Sequence, residues 1–142
     1  MCHGWLQGHK VRGLGGVLVA MLLWGCGEGG DNYPAREVPH ELLRASRTLT
    51  AGAELFAKHC AFCHGHRAEG RSLRANDYDP PPMDFSSVRY REIDPAYLYW
   101  RIEQGKNVEP YRSRGSVMPA WGAHLSETEI WQLVRYLKSR AD

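Results

Sequence analysis

The most distinctive chemical group in the sequence is Cys60-Ala61-Phe62-Cys63-His64. Cysteines with this spacing bind zinc, exchange disulfides or, when a histidine follows directly, attach covalently to haem. At the end of a helix the two sulfurs lie on one face, where they can bond the two vinyl groups of one porphyrin. The adjacent His64 can then turn its imidazole toward the iron. The motif alone leaves all three chemistries open.

The other two cysteines, Cys2 and Cys26, argue against a disulfide framework. Cys2 lies in a segment that we expect to be removed, and Cys26 ends that segment, so no further pair is left for Cys60 and Cys63. The sequence also lacks a second C-x-x-C pair and a βαβ pattern, which zinc sites and thioredoxin-like folds use. We therefore predict covalent haem at Cys60, Cys63 and His64, with a thiol or zinc module as the rival.

The first 25 residues are typical of an export signal. Lys10 and Arg12 precede an apolar run, residues 14–24, which is too short to cross about 30 Å of hydrocarbon as a helix. Leu23 and Gly25 before Cys26 resemble the lipobox of bacterial lipoproteins. Trp24 departs from that pattern, which usually has a small residue at this position. We expect residues 1–25 to be a signal peptide and Cys26 a lipidated N-terminus that anchors the chain on the periplasmic side of a membrane. The alternative is a soluble periplasmic protein.

Residues 26–48 are predicted to form the lipidated N-terminus and a tether. Their glycine-rich start has no apolar periodicity, and Pro34 and Pro39 interrupt the later part of this segment. Leu42 and Leu43 indicate one short helix that packs on the domain.

Composition favours a globular domain without a nucleic-acid footprint. The chain has 142 residues, of which 43% are hydrophobic and 24% charged. All Lys and Arg residues except Lys10 and Arg12 lie after Cys26, where 16 basic residues balance 16 acidic ones. This neutral balance excludes the basic surface that a nucleic-acid partner requires.

Three helical patterns occur in residues 49–142, and no strand pattern is evident. The first is predicted from Thr50, as its cap, to His64. The second begins with Asp94 as N-cap, has proline at its first position and ends at Gly105.

The third helix begins at Ser126, which forms a capping box with Glu129.

Long irregular stretches, residues 65–93 and 106–125, separate the three helices. Three short helices bury little apolar area, so the domain is expected to need a staple, and a large flat cofactor would supply one.

Residues 49–142 resemble the small monohaem (class I) cytochrome c family. That family crosses its first and last helices through a glycine and an aromatic four apart on one helix and a leucine and an aromatic three apart on the other. Gly52 and Phe56, with Leu133 and Tyr136, match this arrangement. The resemblance implies an all-α cytochrome c fold, with three main helices and long loops around one covalent haem c.

The family's second axial ligand is a methionine in a loop before the last helix, where this chain has Met118-Pro119. The resemblance therefore implies that His64 and Met118 hold the iron from its two sides. Alternatives remain open: Met83, which we interpret as a packing residue, or a second histidine. The candidate histidines are His59, His66 and His124.

Several further residues are expected to surround the haem. A proline-rich segment of the family accepts the ring N–H of the ligand histidine through a backbone carbonyl, which we assign to Pro81 or Pro82. Trp121 is expected to pack on the haem or bond a propionate, and Arg112, one of several loop arginines, to pair with a propionate.

We expect an electron carrier with no catalytic residues, because two protein ligands leave no open position on the iron for a substrate. Its partners would be redox proteins. The lipid on Cys26 would also attach it to a membrane. The alternative is a permanent cytochrome subunit of a larger oxidoreductase complex.

Overall fold

The computed structural model describes residues 32–141, so the predicted signal peptide (1–25) and the predicted lipidation site Cys26 lie outside the described residues. Within residues 32–141 the chain forms helices and connecting segments and no β-strand, which confirms the all-α prediction. The α-helices are α1 (His40–Arg44), α2 (Ser46–His59), α3 (Ala61–His64), α4 (Arg89–Glu92), α5 (Pro95–Gln104) and α6 (Glu127–Ser139). None of these helices has the length and apolar character that crossing a bilayer requires.

The core forms where α2 and α6 cross, and this is the largest helix contact of the described chain. Gly52 sits at the crossing point, where a Cβ would collide with the backbone carbonyl of Gln132 and lie 3.0 Å from the Cβ of Tyr136. Phe56 and Leu133 are buried beside it, with 2% and 1% of their surface exposed. A residue without a side chain therefore lets the two helices touch, as the resemblance to the cytochrome c family implied.

The predicted caps of α5 and α6 are confirmed. The carboxylate of Asp94 accepts a hydrogen bond from the backbone N–H of Ala96, and Gly105 ends α5 with a φ of 65°. Ser126 and Glu129 form the reciprocal capping box that starts α6.

The predicted bounds of the first helix are wrong at both ends. The helix α2 begins at Ser46, four residues before Thr50, because its buried face (Thr48, Gly52, Phe56) continues upstream of Thr50. At its other end the helix stops at His59, since Cys60 leaves helical geometry with a φ of −120°. The helix then resumes as α3, so that the cysteine motif forms a short turn of its own.

The segment that precedes α2 packs on the domain over its described part. The hydroxyl of Tyr33 donates a hydrogen bond to Asp94. Arg36 pairs with Glu103 at 3.2 Å, and its guanidinium lies 4.0 Å above the ring of Tyr99. The predicted helix at Leu42 and Leu43 is present as α1, and both leucines pack on the core. These contacts hold residues 33–48 of the predicted tether segment on the domain.

The two long connections contain short helices, which the sequence pattern missed. The 3-10 helices Leu73–Asp77 and Arg112–Arg114 interrupt them, and α4 precedes α5. Long-range bonds hold the first connection to the end of α6, where Arg67 donates to the carbonyl of Ser139 and Arg91 to that of Ala141. These cations satisfy carbonyls that the end of a helix leaves without a partner.

Candidate functional site

The cysteine motif forms the short helix α3 and the turn that follows it. The N–H of His64 donates to the carbonyl of Cys60 at 3.0 Å, and the N–H of Gly65 donates to that of Ala61 at 2.8 Å. Gly65 then reverses the chain at a φ of 74°, where a Cβ would collide with Arg71 and Ser72. Cys60 and Cys63 are free thiols, both half-buried, and both line one cavity together with His64.

The imidazole of His64 is held in one orientation. Its Nδ1 lies 3.0 Å from the backbone carbonyl oxygen of Met83, and the ring of Phe85 stacks on it at 4.7 Å. Because a carbonyl only accepts, Nδ1 carries the proton and Nε2 keeps the lone pair that binds a metal. We predicted that Pro81 or Pro82 would supply this carbonyl. The structure shows that Met83, the residue after them, supplies it instead. Both prolines line the cavity instead.

The ionisation of the motif favours a metal-binding imidazole beside a protonated Cys60 thiol. Burial raises the pKa of the Cys60 thiol to about 12, and the neighbouring Cys63 adds to the rise. Thiols that exchange disulfides or bind zinc have lowered pKa values instead. Burial also lowers the pKa of His64; the bond to Met83 opposes this change and the charge of Arg140 adds to it. The imidazole is therefore neutral, the form that coordinates a metal.

The loop that carries Met118 is fixed to the end of α5. The carbonyl of Met118 accepts from the N–H of Lys106 at 3.0 Å, and the N–H of Trp121 donates to the carbonyl of Ile102 at 3.1 Å. Gly105 makes this approach possible, because a Cβ there would collide with the backbone of Pro119. The last turn of α5 thus satisfies its free carbonyls with the loop and places Met118 at the cavity.

The cavity is a partly open cleft, with about 970 Å³ of space free of protein atoms when the adjoining open solvent is included. Its remaining lining is largely apolar and comes from every part of the domain: Phe56, residues 80–82, Phe85, Ile102, Leu133 and Leu137. Trp121 also lines it, in agreement with the expected position of that residue. A wide apolar cleft with a few convergent ligating groups is typical of a cofactor site.

The structure separates the candidate sulfur ligands. Met83 lies on the His64 side, because its carbonyl bonds the His64 ring, and its sulfur lies 3.9 Å from a guanidinium nitrogen of Arg89. Met118 comes from a different element and lines the same cavity. Of the candidate histidines, His59 lines the cavity with its ring against Trp121 at 5.2 Å.

Cationic side chains line a second cavity that adjoins the first. Both cavities share His64, Met83 and Met118, and the second is also lined by three basic residues: Arg89, Arg101 and Lys106. The positive charges of these residues suit the carboxylates of the haem propionates.

The prediction that Arg112 pairs with a propionate is wrong. Arg112 is exposed, pairs with Glu109 at 3.2 Å and lines neither cavity. Its 3-10 turn directs it to a local partner.

The sequence analysis missed Arg101, although a signal was present. This residue is 7% exposed and lies on the same face of α5 as the buried Leu98 and Ile102. An arginine on the buried face of an amphipathic helix indicates a buried polar function, because a charge is expensive to bury. Its donor group lies 3.2 Å from the carbonyl of Gly105 and 4.4 Å above the ring of Trp100.

The donor set and the cavity fit a covalently attached haem. Two thiols, a neutral imidazole with a free Nε2 and a thioether line one apolar cleft, and cations line its extension. Among the described residues, no group of three or more His, Cys, Asp or Glu side chains is arranged to hold a metal ion.

Comparison with known proteins gives the same answer. Residues 47–137 match the family described as cytochrome C oxidase, cbb3-type, subunit III. The chain is 34% identical over 87 residues to the cbb3-type cytochrome c oxidase subunit FixP of Azorhizobium caulinodans, covering 61% of this chain and 25% of that protein. It is 31% identical over 96 residues to FixP of a Bradyrhizobium species, covering 68% of this chain and 29% of that protein.

A third relative is subunit CcoP of the cbb3-type oxidase of Azospirillum brasilense, 30% identical over 86 residues, which cover 61% of this chain and 26% of that protein. The matched part thus spans about a quarter of the length of each of these relatives. The family match includes the cysteine motif, the Met118 loop and most of α6. The chain belongs to the cbb3-type cytochrome c oxidase subunit III family of c-type cytochromes.

Proposed function

We propose that the chain carries one haem c, bound through thioethers at Cys60 and Cys63 and held at its iron by His64 and Met118. The observation that carries this proposal is the meeting of these four side chains at one apolar cavity, with His64 already oriented by Met83. The sequence contains one C-x-x-C-H motif, which supports a single haem.

The residues of the site serve electron transfer and no bond-making step. When bound, haem supplies a centre that gains and loses one electron. The carbonyl of Met83 bonds Nδ1 of His64 and so leaves Nε2 available to bind the iron. The contacts with α5 hold the Met118 loop in place. The apolar lining limits access of water. If His64 and Met118 both bind the iron, the bound haem would have no open position for a substrate.

The domain acts, in our proposal, as the fixed cytochrome component of a larger oxidoreductase complex of the cbb3 oxidase type. The relatives are named as subunits of that oxidase, which supports a permanent subunit better than a freely diffusing shuttle. Its electron donor and acceptor would be partners within or beside such a complex.

Covalent attachment is tested on the protein matured in a host with a cytochrome c assembly system. After acid-acetone extraction, which removes non-covalent haem, the reduced spectrum should stay with the protein. The variants Cys60→Ser and Cys63→Ser should each leave one thioether, and the double variant none. Colour that moves entirely into the solvent with the unchanged protein would contradict the proposal.

The subunit role is tested by purifying the tagged protein from detergent-solubilised membranes of its own host in high salt. A fixed subunit should retain a haem-containing oxidase, since buried apolar interfaces resist salt while charge attraction is screened. A cytochrome that elutes alone in high salt, but oxidises and reduces reversibly, would be a shuttle.

We also propose that the chain is exported and anchored on the periplasmic side of a membrane by a lipidated Cys26. The apolar run, Leu23 and Gly25 support this proposal. Mass spectrometry of the mature N-terminus should find an acylated Cys26, and Cys26→Ser should remove the acyl chains while haem attachment stays normal. An unmodified N-terminus after Cys26 would identify a soluble periplasmic form.

A further inference from the structure

Arg140, just after α6, is a buried cation with an unusual set of partners. The residue is 5% exposed, and its guanidinium donates to three backbone carbonyls of the turn after the cysteine motif. The acceptors are Gly65 at 2.7 Å, His66 at 3.1 Å and Gly70 at 2.8 Å. These bonds hold residues 65–70, the segment through which the chain leaves the haem-binding helix, against the end of α6.

The same guanidinium lies near the two aromatic rings that flank His64. It is 4.8 Å from the ring centre of Phe56 and 5.9 Å from that of Phe85. Those rings are in turn 6.4 Å and 4.7 Å from the ring centre of His64. The charge of Arg140 therefore lies near His64, and both groups lie against the same two aromatic rings.

No carboxylate of the described residues neutralises this charge by an ion pair. The acidic groups that act on Arg140 are Asp84 and Glu69, which influence it through space, together with the phenol of Tyr136, while Arg67 adds a second positive charge. The hydrogen-bond partners of the guanidinium are neutral carbonyls. A guanidinium stays protonated even when buried, so this part of the core keeps a positive charge.

We propose that Arg140 is a positioning residue that, through its buried charge, raises the reduction potential of the haem held by His64. This inference rests on the proposed function. A fixed cation in a low-dielectric interior favours the reduced iron, which carries one positive charge less than the oxidised iron. Its three carbonyl bonds keep that charge at one distance from His64 and fix the turn that follows it.

The test compares two variants by redox titration of the haem-loaded protein. Arg140→Gln removes the charge, and the potential should fall. Arg140→Lys keeps the charge but loses the guanidinium fork, and its potential should stay closer to that of the unchanged protein than the Gln variant does. Because the group is buried, the fall should persist in high salt. Equal losses of thermal stability with unchanged potentials in both variants would assign Arg140 a structural role alone.

The control is Arg44→Gln, which changes the net charge by the same amount at a side chain that is 71% exposed and pairs with Glu41. Its potential should barely change, since exposed charges are screened. If it falls as far as in Arg140→Gln, net charge explains the effect and the proposal is wrong.

A further variant gives an answer even if Arg140→Gln does not fold. Asp84→Asn removes a negative charge near Arg140 and keeps an oxygen for the N–H of Ser86. The potential should rise, and an unchanged potential would contradict an electrostatic role for this side of the site. Haem attachment is read first from the spectrum of the unchanged protein. Missing haem there would refute the proposed function, whereas an unchanged potential in loaded variants would refute only this inference.

Discussion

At the scale of single residues, the site depends on how two side chains are held by backbone groups. His64 is oriented by the carbonyl of Met83, and Met118 sits on a loop whose carbonyl accepts from the N–H of Lys106. The two methionines thus take different parts, since Met83 contributes its backbone and Met118 remains free to contribute its sulfur. This division gives a matched pair of variants.

Met118→Ala should open the sixth position of the iron and leave the haem attached. The near-infrared band that reports a sulfur–iron bond in the oxidised protein should vanish, and the potential should fall. Met83→Ala should do neither, because alanine keeps the carbonyl that bonds His64. The assignment would be reversed if the band disappeared in Met83→Ala and stayed in Met118→Ala.

At the scale of elements, the close crossing of α2 and α6 connects the cysteine motif with the C-terminal helix. Gly52 permits the crossing, and Phe56, one turn further along α2, contacts the ring of Tyr136 at 5.1 Å. Any side chain at position 52 must push the helices apart, because the obstacle is the backbone of Gln132 rather than a side chain that can move. We expect this contact to be structural, with no direct part in electron transfer.

Gly52→Val should therefore destabilise the fold by about 1–3 kcal/mol through overpacking. Gly52→Ala sharpens the test, since alanine at an exposed helix position would stabilise by about 1 kcal/mol, and here it should destabilise instead. Thermal unfolding of the haem-loaded protein measures both. The exposed Ala57→Val, on the same helix, is the control and should have little effect. Unchanged stability in Gly52→Ala would refute the close contact.

At the scale of the whole domain, the segment before α2 belongs to the fold. Arg36 bonds Glu103 on α5, lies above Tyr99 and approaches Glu127 on α6 at 3.7 Å. One side chain thereby ties the N-terminal segment to both helices that frame the Met118 loop.

Arg36→Ala should lower the stability of the domain by about 1 kcal/mol, the sum of a partly buried ion pair and a cation–π contact. Arg36→Lys should recover part of this loss, because the charge remains while the stacked guanidinium is lost. Chemical denaturation of the haem-loaded protein would measure the difference. Equal stability of Arg36→Ala and the unchanged protein would mean that the Arg36 contacts contribute no net stabilisation.

The sequence by itself determined the helical class and the caps at Asp94 and Ser126, and its resemblance to the cytochrome c family implied the glycine crossing at Gly52. These features depend on local chemistry, namely residue spacing, capping side chains and a missing side chain, which the chain carries in its order. The cysteine motif likewise predicted the cofactor, because its geometry is contained within five consecutive residues.

Only the tertiary structure decided which distant groups meet. The carbonyl that holds His64 belongs to Met83 rather than to Pro81 or Pro82, and the cations at the cavity are Arg89, Arg101 and Lys106 rather than Arg112. The burial of Arg140 near His64 depends on the path of residues 65–70, whose carbonyls it bonds. Which group bonds a backbone carbonyl, and which charge becomes buried, depends on how the whole chain folds. Local residue spacing does not show these long-range contacts.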